Sequence, residues 1–320
     1  MAIKVELPAR FGHSEEQLAF IREMGVGYLN LNVMPGDANE AALQTEAERL
    51  ARYDLKISDL ACPPLQKSAA IILGKPERDA EIEKFIELVD LAAKIGAPLV
   101  SVAWQPNGIF RTGRGPCACT RGGTAMYADL KEIEARPISN DRVYEREEIW
   151  QNFAYFLKAV LPACESAGVR LALHPNDPPV PSLGGVASLI SSTADCKRAL
   201  ALANSPALAI KMCVGCWLEN PAFGDLMQDI ADFTVSGQLA EVHFRNVSAP
   251  LPYFEETLAE DGYADMHAIL RQFVRCGFDG YMSVDHAFAG YESVGGGLAS
   301  LAYPTGHLKG MLYAIQREIG

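Results

Sequence analysis

Residues 164–179, "CESAGVRLALHPNDPP", hold one full turn of the pattern that decides the fold: a helix end, a glycine, an apolar run and an abrupt polar stop. Gly168 stands where a helix wants a C′ residue with positive φ. The run "VRLALHP" then reads as a buried strand that ends on His174 and a proline-rich turn. An imidazole at the end of a buried strand must face something.

The same unit recurs outward in both directions. "IKVELPA", "GYLNLNV", "LKISDLA" and "PLVSVAW" precede it, each followed by a longer helical pattern, and "ALAIKMC", "LAEVHFRNV" and "GYMSVDHA" follow it. A helix is expected from about Pro221 to Phe233, and the last one begins at "PTGHLKGML". Gly25, Gly96 and Gly277 punctuate helix ends as Gly168 does. Alternating strands and helices imply a parallel sheet, and eight such units favour a closed α/β (β/α)₈ TIM barrel over an open doubly wound sheet. No GxGxxG follows the first strand to support a dinucleotide fold. Residues 1–320 are therefore expected to form one barrel domain. Two long segments, about 105–140 and 286–303, follow strands and so belong to the face where barrels carry their sites.

Composition narrows the function classes. Of 320 residues 49% are hydrophobic and 21% charged, which suits a soluble globular enzyme. A net charge of -12 argues against nucleic-acid or anionic-membrane partners. The start "MAIKVELPARFGHSEE" has no apolar signal core, and no apolar run is long enough to span a bilayer, so a cytoplasmic location is expected. Eight scattered cysteines read as free thiols, with Cys117 and Cys119 in a solvent-facing loop.

Chemistry collects at the strand ends. Strand five ends at His174, six at Cys213, seven at His243 and eight at Asp285. The C-terminal ends of parallel barrel strands share one rim, so four metal-ligating side chains are brought to one place despite their sequence separation. Singly, each has a plainer role: a hydrogen-bonded core histidine, a small buried thiol, a turn cap. Together they suit a divalent ion, with Zn²⁺, Mn²⁺ and Fe²⁺ all admissible at such a mixed donor set. "CVGC", Cys213–Cys216, also matches a redox CxxC, but it closes a strand rather than opening a helix in a small redox fold.

Arg111, Arg114 and Arg121 in the first long segment, and Arg245 two residues past His243, suggest an acidic substrate, with Arg245 ranked first and Arg121 second. His286 is the best-placed general acid or base, and Tyr303 is a second proton donor. His13, His267 and His307 read as surface or packing residues.

"HPNDPP" with "LGGVASLISS", "MCVGC", "HFRNV", "FEETLAEDGYADM", "VDHAFAG" and "YPTGHLKGML" occur in an order that resembles the mannonate dehydratase family of xylose-isomerase-like barrels. The N-terminal half adds "TRGGTAM". The resemblance implies Mn²⁺, with Fe²⁺, Co²⁺ or Zn²⁺ as substitutes, held by His174, Cys213, His243 and Asp285. It also implies dehydration of D-mannonate or a related aldonic or uronic acid to a 2-keto-3-deoxy acid. Arg245 would stabilise an enediolate, and His286 and Tyr303 would move protons. Departures from the family pattern lie beside these positions: Asn176 replaces an acid, Cys216 a serine, Ala287 a glycine, and an expected histidine in "FEETLAEDG" is missing. The alternatives are a metal-dependent sugar isomerase or epimerase on the same barrel, and a non-catalytic carbohydrate-binding barrel. By analogy with such barrels, association into homo-oligomers is expected.

Overall fold

The computed structural model describes residues 3–117, 121, 123–286 and 292–319, with the backbone alone for 292–296. Cys119 and residues 287–291, part of the second long segment, lie outside the described residues.

Eight parallel strands close on themselves: β1 (Lys4–Arg10), β2 (Tyr28–Asn32), β3 (Lys56–Ala61), β4 (Leu99–Ala103), β5 (Arg170–His174), β6 (Leu208–Cys213), β7 (Leu239–His243) and β8 (Tyr281–Ser283). They follow the chain around the barrel, and β8 pairs with β1 through Lys4 opposite Tyr281. Register sets the level of the strand ends. His174 lies opposite Ala103, Cys213 opposite His243, and His243 opposite Ser283. Asp285 leaves the sheet just beyond.

Helices α1 (Glu15–Glu23), α2 (Glu40–Ala51), α3 (Arg78–Lys94), α4 (Arg146–Ala167), α5 (Thr193–Ala203), α6 (Leu226–Val235), α7 (Met266–Arg275) and α8 (Glu292–Ile319) follow the strands in turn. Ser14 caps α1 reciprocally with Gln17, and Asn39, Ser192, Asp225 and Asp265 each accept a backbone N–H at their helix starts. α7 buries Met266, Ile269, Leu270 and Phe273, an i, i+3, i+4, i+7 stripe that packs towards the strands. Gly168 ends α4 at φ 67°, and Gly25, Gly96 and Gly277 have positive φ as expected.

Three expectations change. The helix expected from Pro221 starts later, at Leu226, because Asp225 supplies the cap and the preceding residues form a turn. The long segment 105–140 carries strands of its own: Gly113–Pro116 and Thr124–Asp129 form a hairpin that pairs with Tyr253–Thr257 and, through it, Asn246–Val247. This second sheet joins the connection after β4 to the connection after β7. It buries Cys117 beside Ala125 and Leu258, where a solvent-facing thiol was expected. The segment 286–303 is helical from Glu292, so Tyr303 stands in α8 rather than in a loop. Burial of Leu298, Leu301, Leu308, Leu312 and Ile315 along one face of α8 outweighs the helix cost of its glycines.

The barrel interior is polar at its centre. Lys211 of β6 lies 2.6 Å from Glu241 of β7 and 3.0 Å from Asp59 of β3. Asn30 of β2 donates to Asp59 at 2.8 Å and to Glu241 at 3.1 Å, while Ser58 and Ser101 donate to Glu6 and Asp59.

Candidate active site

A cavity of about 160 Å³ opens at the C-terminal mouth of the barrel, bordered by His174, His243, Asp285, Lys67, Asn32 and Ser101 among others. A larger groove crosses the opposite end near Arg170 and Gln238, but its described lining residues include no histidine.

His174, Cys213 and His243 each present a donor atom within 4.8 Å of the other two. Asp285 stands beside two of them, its Oδ2 3.7 Å from Cys213 Sγ and its Oδ1 3.3 Å from His243 Nδ1. His174 Nδ1 is 2.7 Å from the Pro175 carbonyl, which can only accept; that bond puts the proton on Nδ1 and frees Nε2 as a lone-pair donor. The Cys213 thiol is held well below its usual range: burial opposes this, but a Cys216 hydrogen bond and the Arg245 guanidinium, 3.3 Å from Sγ, prevail. Burial likewise opposes ionisation of Asp285, and His286, His243 and Arg245 overcome it, holding that carboxyl well below its usual value. His243 Nδ1 is buried with no well-aligned hydrogen bond. Two imidazoles, a thiolate and a carboxylate, one ring nitrogen without an aligned hydrogen bond, fit a divalent cation.

Behind this group lies a layer of paired charge that the sequence reading did not find. Arg111, from the connection after β4, is 2.5 Å from Asp177, 3.1 Å from Glu219 and 2.8 Å from Glu256. Arg245 lies 2.7 Å from Glu219, 3.4 Å from Asp177 and 3.0 Å from Asp285. Asp177, Cys216 and Glu219 also converge as a potential metal trio, but the two guanidinium groups already serve its carboxylates as cation. Gly215 permits the close approach: a Cβ there would sit 2.3 Å from Arg245 Cζ.

The expectation for Arg245 as a substrate clamp therefore meets a different geometry. It is 5% exposed and faces carboxylates and a thiolate, because the connections after β5 and β6 bring Asp177 and Glu219 over the end of β7. Arg121 pairs with Glu260 at 2.7 Å and Asp261 at 2.9 Å, and lies 3.3 Å from the Tyr303 hydroxyl. Tyr303 in turn donates to Glu260 at 2.5 Å, so the structure joins Arg121 and Tyr303 to each other and not to the cavity. His286 is brought in: its Nδ1 is 2.7 Å from Glu256 and its Nε2 3.4 Å from Asp285. Burial lowers the pKa of His286, but Asp285 and Glu256 outweigh burial and leave it raised. Asn176 donates to the Trp104 carbonyl and accepts from the Ile190 amide, a bracing role in which it does not border the cavity.

Missed residues fall into two kinds. Arg111 is one of the arginines that suggest an acidic substrate, and nothing local in the sequence marks its burial among carboxylates. Lys67, which borders the cavity just after the short helix Pro63–Gln66 that follows β3, carries no motif; its one signal is its place in a connection after a strand end.

A model of the D-mannonate dehydratase (UxuA) family matches residues 139–319. Mannonate dehydratase of Lactococcus lactis subsp. lactis (strain IL1403) is 30% identical in an alignment of 327 positions, covering 98% of this chain and 79% of that protein. The match to mannonate dehydratase of Lactococcus lactis subsp. cremoris (strain MG1363) is 32% identical over 182 residues, 54% of this chain, and spans half of that protein. Among solved structures, mannonate dehydratase from Streptococcus suis serotype 2 superposes with a TM-score of 0.88 at 24% identity, covering 100% of this chain and 97% of that one. A xylose isomerase domain protein from Planctomyces limnophilus gives 0.67 at 11%, covering 99% and 100%. At these identities the structural likenesses speak for the fold alone, an xylose-isomerase-like TIM barrel.

Proposed function

The chain belongs to the mannonate dehydratase family, and from that premise we propose that it is a hydro-lyase removing water from D-mannonate, or a related aldonic or uronic acid, to leave a 2-keto-3-deoxy acid. The observation that carries this reading is the convergence of His174, Cys213 and His243, with Asp285 against two of them, beside the cavity at the barrel mouth that His174, His243 and Asp285 border. These four residues would hold the ion, Mn²⁺ by preference. A divalent cation supplies the positive charge that makes a proton beside a carboxylate removable.

The chain's own residues do the rest. The C2 proton must leave, and the C3 hydroxyl must depart as water once protonated. His286, at the edge of the group and oriented through Nδ1 by Glu256, is assigned the proton transfers at Nε2. Arg245 and Arg111 hold Asp177, Glu219, Glu256 and Asp285 at fixed positions behind the cavity, which keeps the thiolate and the imidazoles in register. Arg121 and Tyr303 are assigned to a tie between the hairpin connection and α8 through Glu260. No helix among the described residues is long and apolar enough to cross a membrane. We infer a cytoplasmic enzyme that self-associates.

Incubation of the purified protein with D-mannonate and Mn²⁺, followed by assay for a 2-keto-3-deoxy acid, tests the reaction. Product is expected, lost on chelation and restored by added Mn²⁺. A ketose or an epimer in place of that product would establish the isomerase or epimerase alternative, and bound sugar without any turnover would establish a binding barrel.

A further inference from the structure

A sugar acid brings a negative charge into the cavity, and the site's cations are nearly all spoken for. Lys211 is paired with Glu241 and Asp59, Arg245 and Arg111 with their carboxylates, and Arg121 with Glu260 and Asp261. Lys67 is different. It borders the same cavity as His174, His243 and Asp285, is partly buried, and among the described residues its ammonium has neither a hydrogen bond nor an ion pair. Asp177 and Asp285 act on it only across a distance, and burial holds its pKa below the ordinary lysine value. A charge kept in a half-dry wall without a partner is a cost that an entering anion removes.

The neighbouring groups have matching chemistry. Gln66, the preceding residue, also borders the cavity, and its Oε1 is buried without a donor. Asn32 and Ser101 line it as well. Uncharged acceptors and donors of this kind suit the hydroxyls of a polyol chain.

We propose that Lys67 binds the carboxylate of the sugar acid, with Gln66 beside it taking a hydroxyl. This rests on the sugar-acid reading above and assigns the recognition of the anion to the connection after β3, not to the arginine just past β7. Because lysine is a point charge on a flexible stem, it can follow the carboxylate as charge moves onto the enediolate.

The test is equilibrium binding to the Mn²⁺-loaded enzyme of two ligands that cannot be dehydrated. One is a 3-deoxyaldonate, which keeps the carboxylate and lacks the leaving hydroxyl; the other is the corresponding alditol, in which CH₂OH replaces the carboxylate. Wild type is expected to prefer the acid. Lys67→Met is expected to weaken acid binding roughly ten- to hundredfold while leaving the alditol unchanged, and Lys67→Arg to recover most of the loss. Equal affinity of wild type for the two ligands, unchanged acid binding in Lys67→Met, or a parallel fall for both ligands would each overturn the assignment. Product formation from D-mannonate is scored separately. Lys67-dependent acid binding without any 2-keto-3-deoxy product would sink the dehydratase reading and leave this inference standing. Product with Lys67-independent binding would do the reverse.

Discussion

At the scale of single residues, Cys213 is the most exacting test of the metal group. Its sulfur has Arg245 at 3.3 Å and Asp285 Oδ2 at 3.7 Å, and the Cys216 hydrogen bond adds to the guanidinium in favouring thiolate over thiol. A serine hydroxyl in the same place keeps its proton at neutral pH and so offers a neutral oxygen where the site now offers an anionic sulfur. Cys213→Ser is therefore expected to lower metal affinity by at least about tenfold, with activity falling in step. Elemental analysis after dialysis against metal-free buffer reads the outcome directly. Metal content equal to wild type would remove Cys213 from the ligand set.

At the scale of elements, the short helix Val214–Glu219 matters through its second residue. A methyl at Gly215 would lie 2.3 Å from the Arg245 Cζ, so Gly215→Ala must displace a guanidinium held by Glu219, Asp177 and Asp285. Activity is expected to drop at least about tenfold through misplaced neighbours, while the far-ultraviolet circular dichroism of the barrel stays as in wild type. Full activity in that variant would mean that Arg245 positions nothing. The eight staves were legible because strand and helix patterns depend on neighbours in sequence, and the strand-end residues His174, Cys213, His243 and Asp285 came with them, because a parallel barrel puts all its C-terminal ends on one rim. The sheet over that rim was not. Its central pair sets Tyr253 against Asp129, residues that no local pattern connects. Arg111 was misread for the same reason: its burial exists only once the connections after β4, β5, β6 and β7 have closed on one another. Tyr303, expected as a second proton donor from the second long segment, stands instead in α8 and donates to Glu260.

At the scale of the whole molecule, the barrel closes around one ammonium and three carboxyl groups contributed by four staves: Lys211 from β6, Glu6 from β1, Asp59 from β3 and Glu241 from β7. Three buried anions against one cation is unfavourable, and protonation relieves it. Burial first, and then Glu241, raise Glu6 well above its ordinary value, while Glu241 is held low against burial by Lys211. The orphaned oxygens Glu6 Oε1 and Glu241 Oε2 agree with a missing donor, which a protonated Glu6 hydrogen-bonded to Glu241 supplies. A folded-state pKa above the unfolded one means that the native barrel binds the extra proton. The corresponding stability is complete below the unfolded value and drains away as pH rises through the folded one. Glutamine carries a permanent donor in that position. Glu6→Gln is accordingly expected to remain within about 1 kcal/mol of wild type where Glu6 keeps its proton, and to lose the decline in stability that wild type shows as pH rises above the ordinary carboxylate range. Glu241→Gln takes the 2.6 Å partner from Lys211 and is expected to cost about 3–5 kcal/mol. Urea unfolding of the three proteins from acid through alkaline pH separates these outcomes: a Glu6→Gln barrel as unstable as the Glu241→Gln one throughout would show that Glu6 is ionised, and that the charge holding the staves together is arranged differently.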